Sequence, residues 1–272
     1  MTKFTPDSSV VERVEASPNF DERTGLARAD MIVLHYTGMQ FSHDAMHRLC
    51  DPASRVSSHY LVHENGSIVQ LVPEQYRAWH AGVSSWGGDA DINSRSIGIE
   101  IANPGHEFGY PEFPSRQIAA VTTLCRAILT RNIIRPENVV AHSDVAPSRK
   151  QDPGEKFPWR RLAQSGVGLW VEPAPITDTK LLGPGDSGEK VTELQRALIE
   201  YGYGIEQIGR YDKNTEEVVT AFQRHFRPAR VDGVVDTSTL ETLRKLLVAR
   251  SQPTTPKPGH SALDAAFRAP HP

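Results

Sequence analysis

The sequence predicts an α/β domain, a mixed β-sheet flanked by helices, followed by a small all-α domain of three helices. Three observations carry this. Apolar runs of strand length alternate with helical periodicity across residues 31–165, the pattern of a layered α/β unit. The pair Asn65-Gly66 separates two β-rich runs and marks a hairpin, so the sheet is mixed. Beyond a polar stretch at 166–179, only helical periodicity remains.

Taken in order, residues 1–30 are polar, hold a Pro-Asn turn signal, and are expected to wrap the domain surface. Met31-Ile32-Val33-Leu34-His35-Tyr36 is the first strong strand. Ser42 to Leu49 reads as a helix with Ser42 as N-cap. His43 and His47, four apart on it, stand in chelating register. They lack the adjacent glutamate of a zinc-protease helix, and a solvated helix face accounts for both. Ser57–Val62 and Ser67–Val72 form the hairpin. Trp79, His80, Trp86 and Gly87-Gly88 follow in a glycine-rich stretch that either walls a groove or packs as an ordinary loop. Ser96 to Ala102 alternates strictly, with Ile97, Ile99 and Ile101 on one face and Gly98, Glu100 and Ala102 on the other. The small neighbours of Glu100 suggest space kept open around it. Ser115 to Thr130 is an amphipathic helix bearing Ile118, Val121, Leu124, Cys125, Ile128 and Leu129 on one side. Asn138 to Ala141 is a strand end, and Phe157-Pro158-Trp159 opens a short closing helix.

Residues 166–179 read as a linker and 180–248 as the helical module. Within it Val191, Leu194 and Leu198 share a face, as do Val218, Phe222 and Phe226, and then Leu240, Leu243 and Leu247. A turn glycine and a capping aspartate recur before the second and third helices, as Gly209…Asp212 and Gly233…Asp236. At about 70 residues the module is near the lower limit for independent folding. Its histidine, His225, reads as surface or packing. The proline-rich, aperiodic stretch 251–272 reads as a disordered tail.

Of the 272 residues, 38% are apolar and 23% charged, which suits a soluble globular chain. A net charge of −3 gives no reason to expect nucleic acid or a membrane surface as partner, and no run is long enough for a membrane span. The N-terminus shows no apolar core of a signal peptide. Cys50 and Cys125 sit among apolar helix-like residues and read as buried thiols, with one disulfide between them as the alternative.

The chemistry gathers in the loop His142-Ser143-Asp144-Val145-Ala146-Pro147-Ser148-Arg149-Lys150-Gln151-Asp152-Pro153-Gly154. A histidine and a carboxylate on a proline-stiffened loop can supply two metal ligands. His35, at the end of its strand, is the best candidate for a third. Two histidines, a carboxylate and an open position describe a catalytic zinc site.

With these residues laid out, the chain resembles the zinc-dependent N-acetylmuramoyl-L-alanine amidases that carry a C-terminal peptidoglycan-binding module. The first part of the likeness rests on Ile32 to Thr37, Val56-Ser57-Ser58-His59-Tyr60-Leu61-Val62, Ala78 to Gly82, Ile97 to Asn103, and His142-Ser143-Asp144 through Lys150 to Gly154. The second rests on Gly185 to Gly188, Val191, Leu194-Gln195, Ala221-Phe222-Gln223 and Asp232-Gly233. The resemblance implies that His35, His142 and Asp152 hold Zn2+, that Glu100 is the catalytic glutamate, and that Lys150 stabilises the oxyanion. It also implies that Trp79, His80 and Asn103 border the substrate. Should Glu100 fail, His80 or His59 is next in line for proton transfer, although a packed or groove-lining histidine is the better reading of each. The implied partners are peptidoglycan polymer and muropeptides. A peptidoglycan-binding protein without activity and a metallopeptidase of the stem peptide are the rivals; the complete ligand set favours the enzyme. Wall binding favours the periplasm or cell envelope, and the missing signal favours the cytoplasm. On this reading the module is a tether, so truncation after about residue 175 should weaken binding to sacculi and spare turnover of a small muropeptide.

Overall fold

The structure, a computed structural model, describes residues 4–25, 27–176 and 178–251. Its elements in chain order are β1 (Arg13–Val14), β2 (Phe20–Glu22), β3 (Met31–Tyr36), α1 (Ser42–Cys50), β4 (Tyr60–Val62), β5 (Ile68–Gln70), β6 (Tyr76–Ala78), α2 (Ile92–Arg95), β7 (Ser96–Ile101), α3 (Ser115–Arg131), β8 (Val139–Ala141), α4 (His142–Val145), α5 (Trp159–Gln164), β9 (Lys180–Leu182), α6 (Glu189–Tyr201), α7 (Lys213–Phe226), β10 (Val235–Asp236) and α8 (Thr237–Ser251).

One six-stranded sheet, ordered β1-β5-β4-β7-β3-β8, forms the frame. β4 and β5 pair antiparallel across the hairpin, with Gly66 at a φ of +88° in its turn. β4, β7, β3 and β8 run parallel, so the sheet is mixed. Its two faces are packed differently. Ile32, Leu34, Ile97, Ile99 and Ile101 meet Ile118, Val121, Leu124, Cys125 and Ile128 of α3 in one core. On the other face Leu61, Val69 and Leu71 pack against Leu49 of α1.

Several expectations change. The N-terminal segment does more than wrap: β1 extends the sheet beside β5, and β2 pairs with β6. Unpaired edge backbone accepts such additions readily, because each added strand satisfies its hydrogen bonds. Phe41, not Ser42, occupies the N-cap of α1, and no side chain caps that helix. Both cysteines are free thiols, Cys125 buried and Cys50 half-buried.

The C-terminal module contains three helices and also a short ribbon, β9 with β10. The repeated start signals work as read. Asp212 accepts from Thr215 N–H at 2.9 Å, and Asp236 from Thr239 N–H at 2.7 Å. The linker, however, is packed. Val167 is buried, and the Ala174 backbone bonds Thr242 and Ser238 of α8. The module is also not a free tether. Met31, Val33, Trp86, Val140 and Val145 share one continuous apolar cluster with Val191, Leu194, Tyr203, Phe222 and Leu246. Gly87 N–H donates to Gly202 O at 2.8 Å across this junction. A module this small has little core of its own and gains by burying apolar area against a larger neighbour. Ser251, the first residue of the expected tail, ends α8, and 252–272 lie outside the described residues. Among the described residues no helix is long and apolar enough to cross a membrane.

Candidate functional site

Parallel strands build the site at their C-terminal ends. His35 of β3 pairs in register with Glu100 of β7. Adjacent residues in register project to the same face, so both side chains leave the sheet together. Leu34 pairs with Ala141 of β8, and the next residue, His142, opens α4. The chain then returns so that Ser143 N–H donates to Asp152 O at 3.0 Å.

Three donor atoms converge there. His35 Nδ1 lies 2.8 Å from His142 Nδ1 and 3.2 Å from Asp152 Oδ2, and His142 Nδ1 lies 3.0 Å from the same oxygen. All three residues are buried. Ligands at about 2 Å from a tetrahedral ion stand about 3.3 Å apart, so this donor set fits one small cation. The outer hydrogen bonds select the matching tautomers. His142 Nε2–H donates to Ala81 O at 3.1 Å, leaving Nδ1 bare. Ser96 Oγ–H donates to Ile92 O at 2.6 Å and therefore accepts from His80 Nε2–H at 3.1 Å. His80 Nδ1 then accepts from His35 Nε2–H at 3.1 Å, and His35 Nδ1 is bare as well.

The electrostatics agree with a cation site. Burial, with the charge of His142 second, pushes His35 down to about 4, so it is neutral at pH 7. Burial opposes ionisation of Asp152, but His142 and His35 outweigh it and hold its carboxyl far below the usual range. Burial, and then the charge of Asp152, push the Glu100 carboxyl well up, with Lys150 acting in the opposite sense. Glu100 Oε2 is buried without a hydrogen-bond partner among the described residues. Such an atom is costly unless a ligand uses it.

A cleft of about 350 Å³ opens onto these residues, lined also by Thr37, Trp79, His106, Arg149 and Lys150. Lys150 is exposed on the rim and makes no ion pair among the described residues; the pairings with Asp144 or Glu155 that would make it structural are taken by other side chains. Trp79 reaches the cleft and donates Nε1–H to Asp21 at 2.7 Å.

Two candidates behave differently from expectation. Asn103 is buried and absent from the cleft wall; its Nδ2–H donates to Pro111 O and its Oδ1 accepts from Gly105 N–H. With both ends of the amide engaged, it shapes the 103–111 loop rather than facing a ligand. His80 touches the cleft edge, but both ring nitrogens are committed to His35 and Ser96. Its ring fills the space that Gly98 leaves: a Cβ at Gly98 would strike it. The small residue beside Glu100 therefore admits a histidine, not open solvent. Trp86 is no groove wall either, being 2% exposed and packed on Tyr203. Asn93 carries a role with no visible sequence signal: its Oδ1 accepts from both His80 and Ala81 N–H.

His59 sets a pH dependence. Its Nδ1 accepts from Gly98 N–H at 3.0 Å, and its Nε2–H donates to Tyr76 O at 3.0 Å, so the neutral ring is fully used. Burial, then Arg23, push it from 6.5 down to about 3. Between those values the unfolded chain holds the extra proton, so stability falls as pH drops from about 6.5 towards 3. Thermal unfolding from pH 7 to pH 4 should show a steadily falling Tm, less steep in His59→Gln. A flat profile would refute the neutral buried ring.

One cleft thus gathers the buried Glu100 and three donors that could hold a metal ion, an arrangement of the hydrolase class. Residues 25–155 match the N-acetylmuramoyl-L-alanine amidase family, and residues 187–243 match the putative peptidoglycan binding domain. The chain is 39% identical over 232 residues to the N-acetylmuramoyl-L-alanine amidase AmiD of Escherichia coli, covering 81% of this chain and 83% of that protein. The 1,6-anhydro-N-acetylmuramyl-L-alanine amidase AmpD of Citrobacter freundii is 45% identical over 108 residues, covering 40% of this chain and 56% of that one. Among solved structures, that of Escherichia coli AmiD with anhydro-N-acetylmuramic acid-L-Ala-D-gamma-Glu-L-Lys superposes with a TM-score of 0.69 at 36% identity, covering 85% of this chain and 98% of that one. AMPDH3 of Pseudomonas aeruginosa gives a TM-score of 0.67 at 30% identity, covering 85% and 96%. The chain belongs to the N-acetylmuramoyl-L-alanine amidase family.

Proposed function

We propose that the ion is Zn2+, held by His35, His142 and Asp152, and that the enzyme cuts the amide between N-acetylmuramic acid and L-alanine in peptidoglycan or its fragments. The observation that carries this is the convergence of the three donor atoms within 3.2 Å in the cleft that Glu100 also lines. Two imidazoles and one carboxylate would suit zinc. Zinc held there would supply a water acidified to a pKa of about 7 and a Lewis acid for the carbonyl. Glu100 takes the water's proton and passes it to the leaving nitrogen. Lys150, free on the cleft rim, stabilises negative charge developing on the carbonyl oxygen. Trp79 borders the substrate. We assign residues 31–165 to catalysis and 180–248 to peptidoglycan binding, with 166–179 between them.

The substrate named in the AmiD complex supports a muramyl peptide as ligand. The match at 187–243 supports action on wall polymer as well, and hence a place in the periplasm or cell envelope, with the cytoplasm as alternative. Fractionation of the native protein tests that placement. Digestion of sacculi and of soluble muropeptides, followed by mass spectrometry, tests the reaction. Free stem peptides beginning with L-Ala are expected, and a zinc chelator should abolish them until zinc is restored. Truncated stem peptides would indicate a peptidase instead, and absence of product a binding protein.

A further inference from the structure

The loop that carries His142, Lys150 and Asp152 is gripped at both ends by the second module. At its start stands Asp144, two residues after His142 and fully buried. Asp144 Oδ1 accepts from the Tyr203 hydroxyl at 2.7 Å. Its Oδ2 accepts from Ala141 N–H at 2.8 Å and from His225 Nδ1–H at 2.6 Å. The His225 ring is itself stacked on Trp159 with centroids 3.7 Å apart, so its position is set by packing as well. At the far end stands Glu155, three residues after Asp152. Arg224 Nε lies 3.5 Å from its Oε2, an ion pair without hydrogen-bond alignment, and the Arg224 side chain is only 13% exposed. Arg224 and His225 are consecutive residues of α7, so one turn of one helix holds both flanks of the loop.

We propose that Tyr203, Arg224 and His225 are positioning residues for the metal centre, so that the module contributes to chemistry on any substrate, independently of wall binding. This rests on the zinc reading above. The carboxylate of Asp144 ties three things together: the backbone at Ala141, immediately before His142, and two side chains from the other module. Without Tyr203 and His225 it would be a buried carboxylate with one partner left, and buried charges are retained only when well paired. Its shift would move the first turn of α4 and with it the His142 ring. Groups outside the ligand shell that orient ligands are typically worth 10–100-fold in metal affinity or activity. Here those groups come from a segment that a wall-binding role alone would leave uninvolved.

The test uses the full chain. Tyr203→Phe removes only the hydroxyl and keeps the ring on Trp86; Arg224→Ala and His225→Leu remove the other contacts. Leu198→Ala, in the module core and without a side-chain hydrogen bond to the loop, supplies a destabilised control. Zinc affinity by chelator competition, the visible spectrum of the cobalt-substituted protein, and kcat and KM on a small soluble muropeptide are measured for each. The parent holding one zinc equivalent checks the metal reading separately. Tyr203→Phe and Arg224→Ala should each weaken zinc about 10-fold, alter the cobalt spectrum and lower kcat at unchanged KM. Arg224→Lys should recover part of the loss, and Leu198→Ala should lower Tm while keeping parental zinc affinity. Parental affinity, spectrum and kcat in Tyr203→Phe and Arg224→Ala would overturn the proposal. So would equal zinc loss in Leu198→Ala. Should His225→Leu fail to fold, the other two variants decide.

Discussion

Glu100→Gln should keep the fold and a full equivalent of zinc yet lose about 10²–10⁴-fold in turnover, the usual worth of general acid–base help. The substitution preserves shape and removes only the ability to accept and return a proton. Stability should hold or rise. In the native chain Oε2 is buried with no partner, and burial together with Asp152 opposes its charged form. Removing an ionisable group from such a place lifts a burden from the fold. Slow turnover, retained zinc and an undiminished Tm, measured on one preparation, form the expected signature. Near-parental turnover would move proton transfer to another group. His80 and His59 are poorly placed to take over, because their ring nitrogens are committed to Ser96 and His35, and to Gly98 and Tyr76.

His142→Ala should remove metal and activity together. The imidazole supplies one of three donors, and its Nδ1 lies within 3.0 Å of Asp152 and 2.8 Å of His35. Its loss also removes the Nε2–H bond to Ala81 O and leaves a buried void beside Asp152, and both weaken the fold. Tm should therefore fall even when metal-free proteins are compared. Elemental analysis and thermal unfolding of parent and variant, each with and without chelator, separate the two effects. A full zinc equivalent in the variant would refute the ligand assignment.

Much of this centre is legible in the order of residues alone. His35 ends an apolar strand, Glu100 sits mid-strand on the polar face of an alternating run, and His142 to Gly154 is a loop too rich in functional groups for a mere connection. Strand alternation settles which face a side chain takes, and that rule is local. What stays hidden is which buried polar group answers which. Asn103 lies in a motif and looks available, yet its amide is used up by Gly105 and Pro111. Asn93 has no motif and anchors the backbone of His80 and Ala81. Hydrogen-bond partners are set by the meeting of segments far apart in sequence, and no periodicity encodes them.

The same division holds for the whole chain. Its sequence by itself determined the order of the strands β3, β4, β5, β7 and β8 and of the longer helices, the capped starts of α7 and α8, and the candidate metal-site residues, because propensity, capping and alternation act over a few neighbours. Only the tertiary structure decided that β1 joins the sheet edge, that His80 fills the space over Gly98, and that His225 reaches Asp144 across 81 residues of chain. A lone histidine and a short helical module looked self-contained. They are not, since a buried carboxylate and an incomplete apolar core are each satisfied only by surfaces that folding brings together.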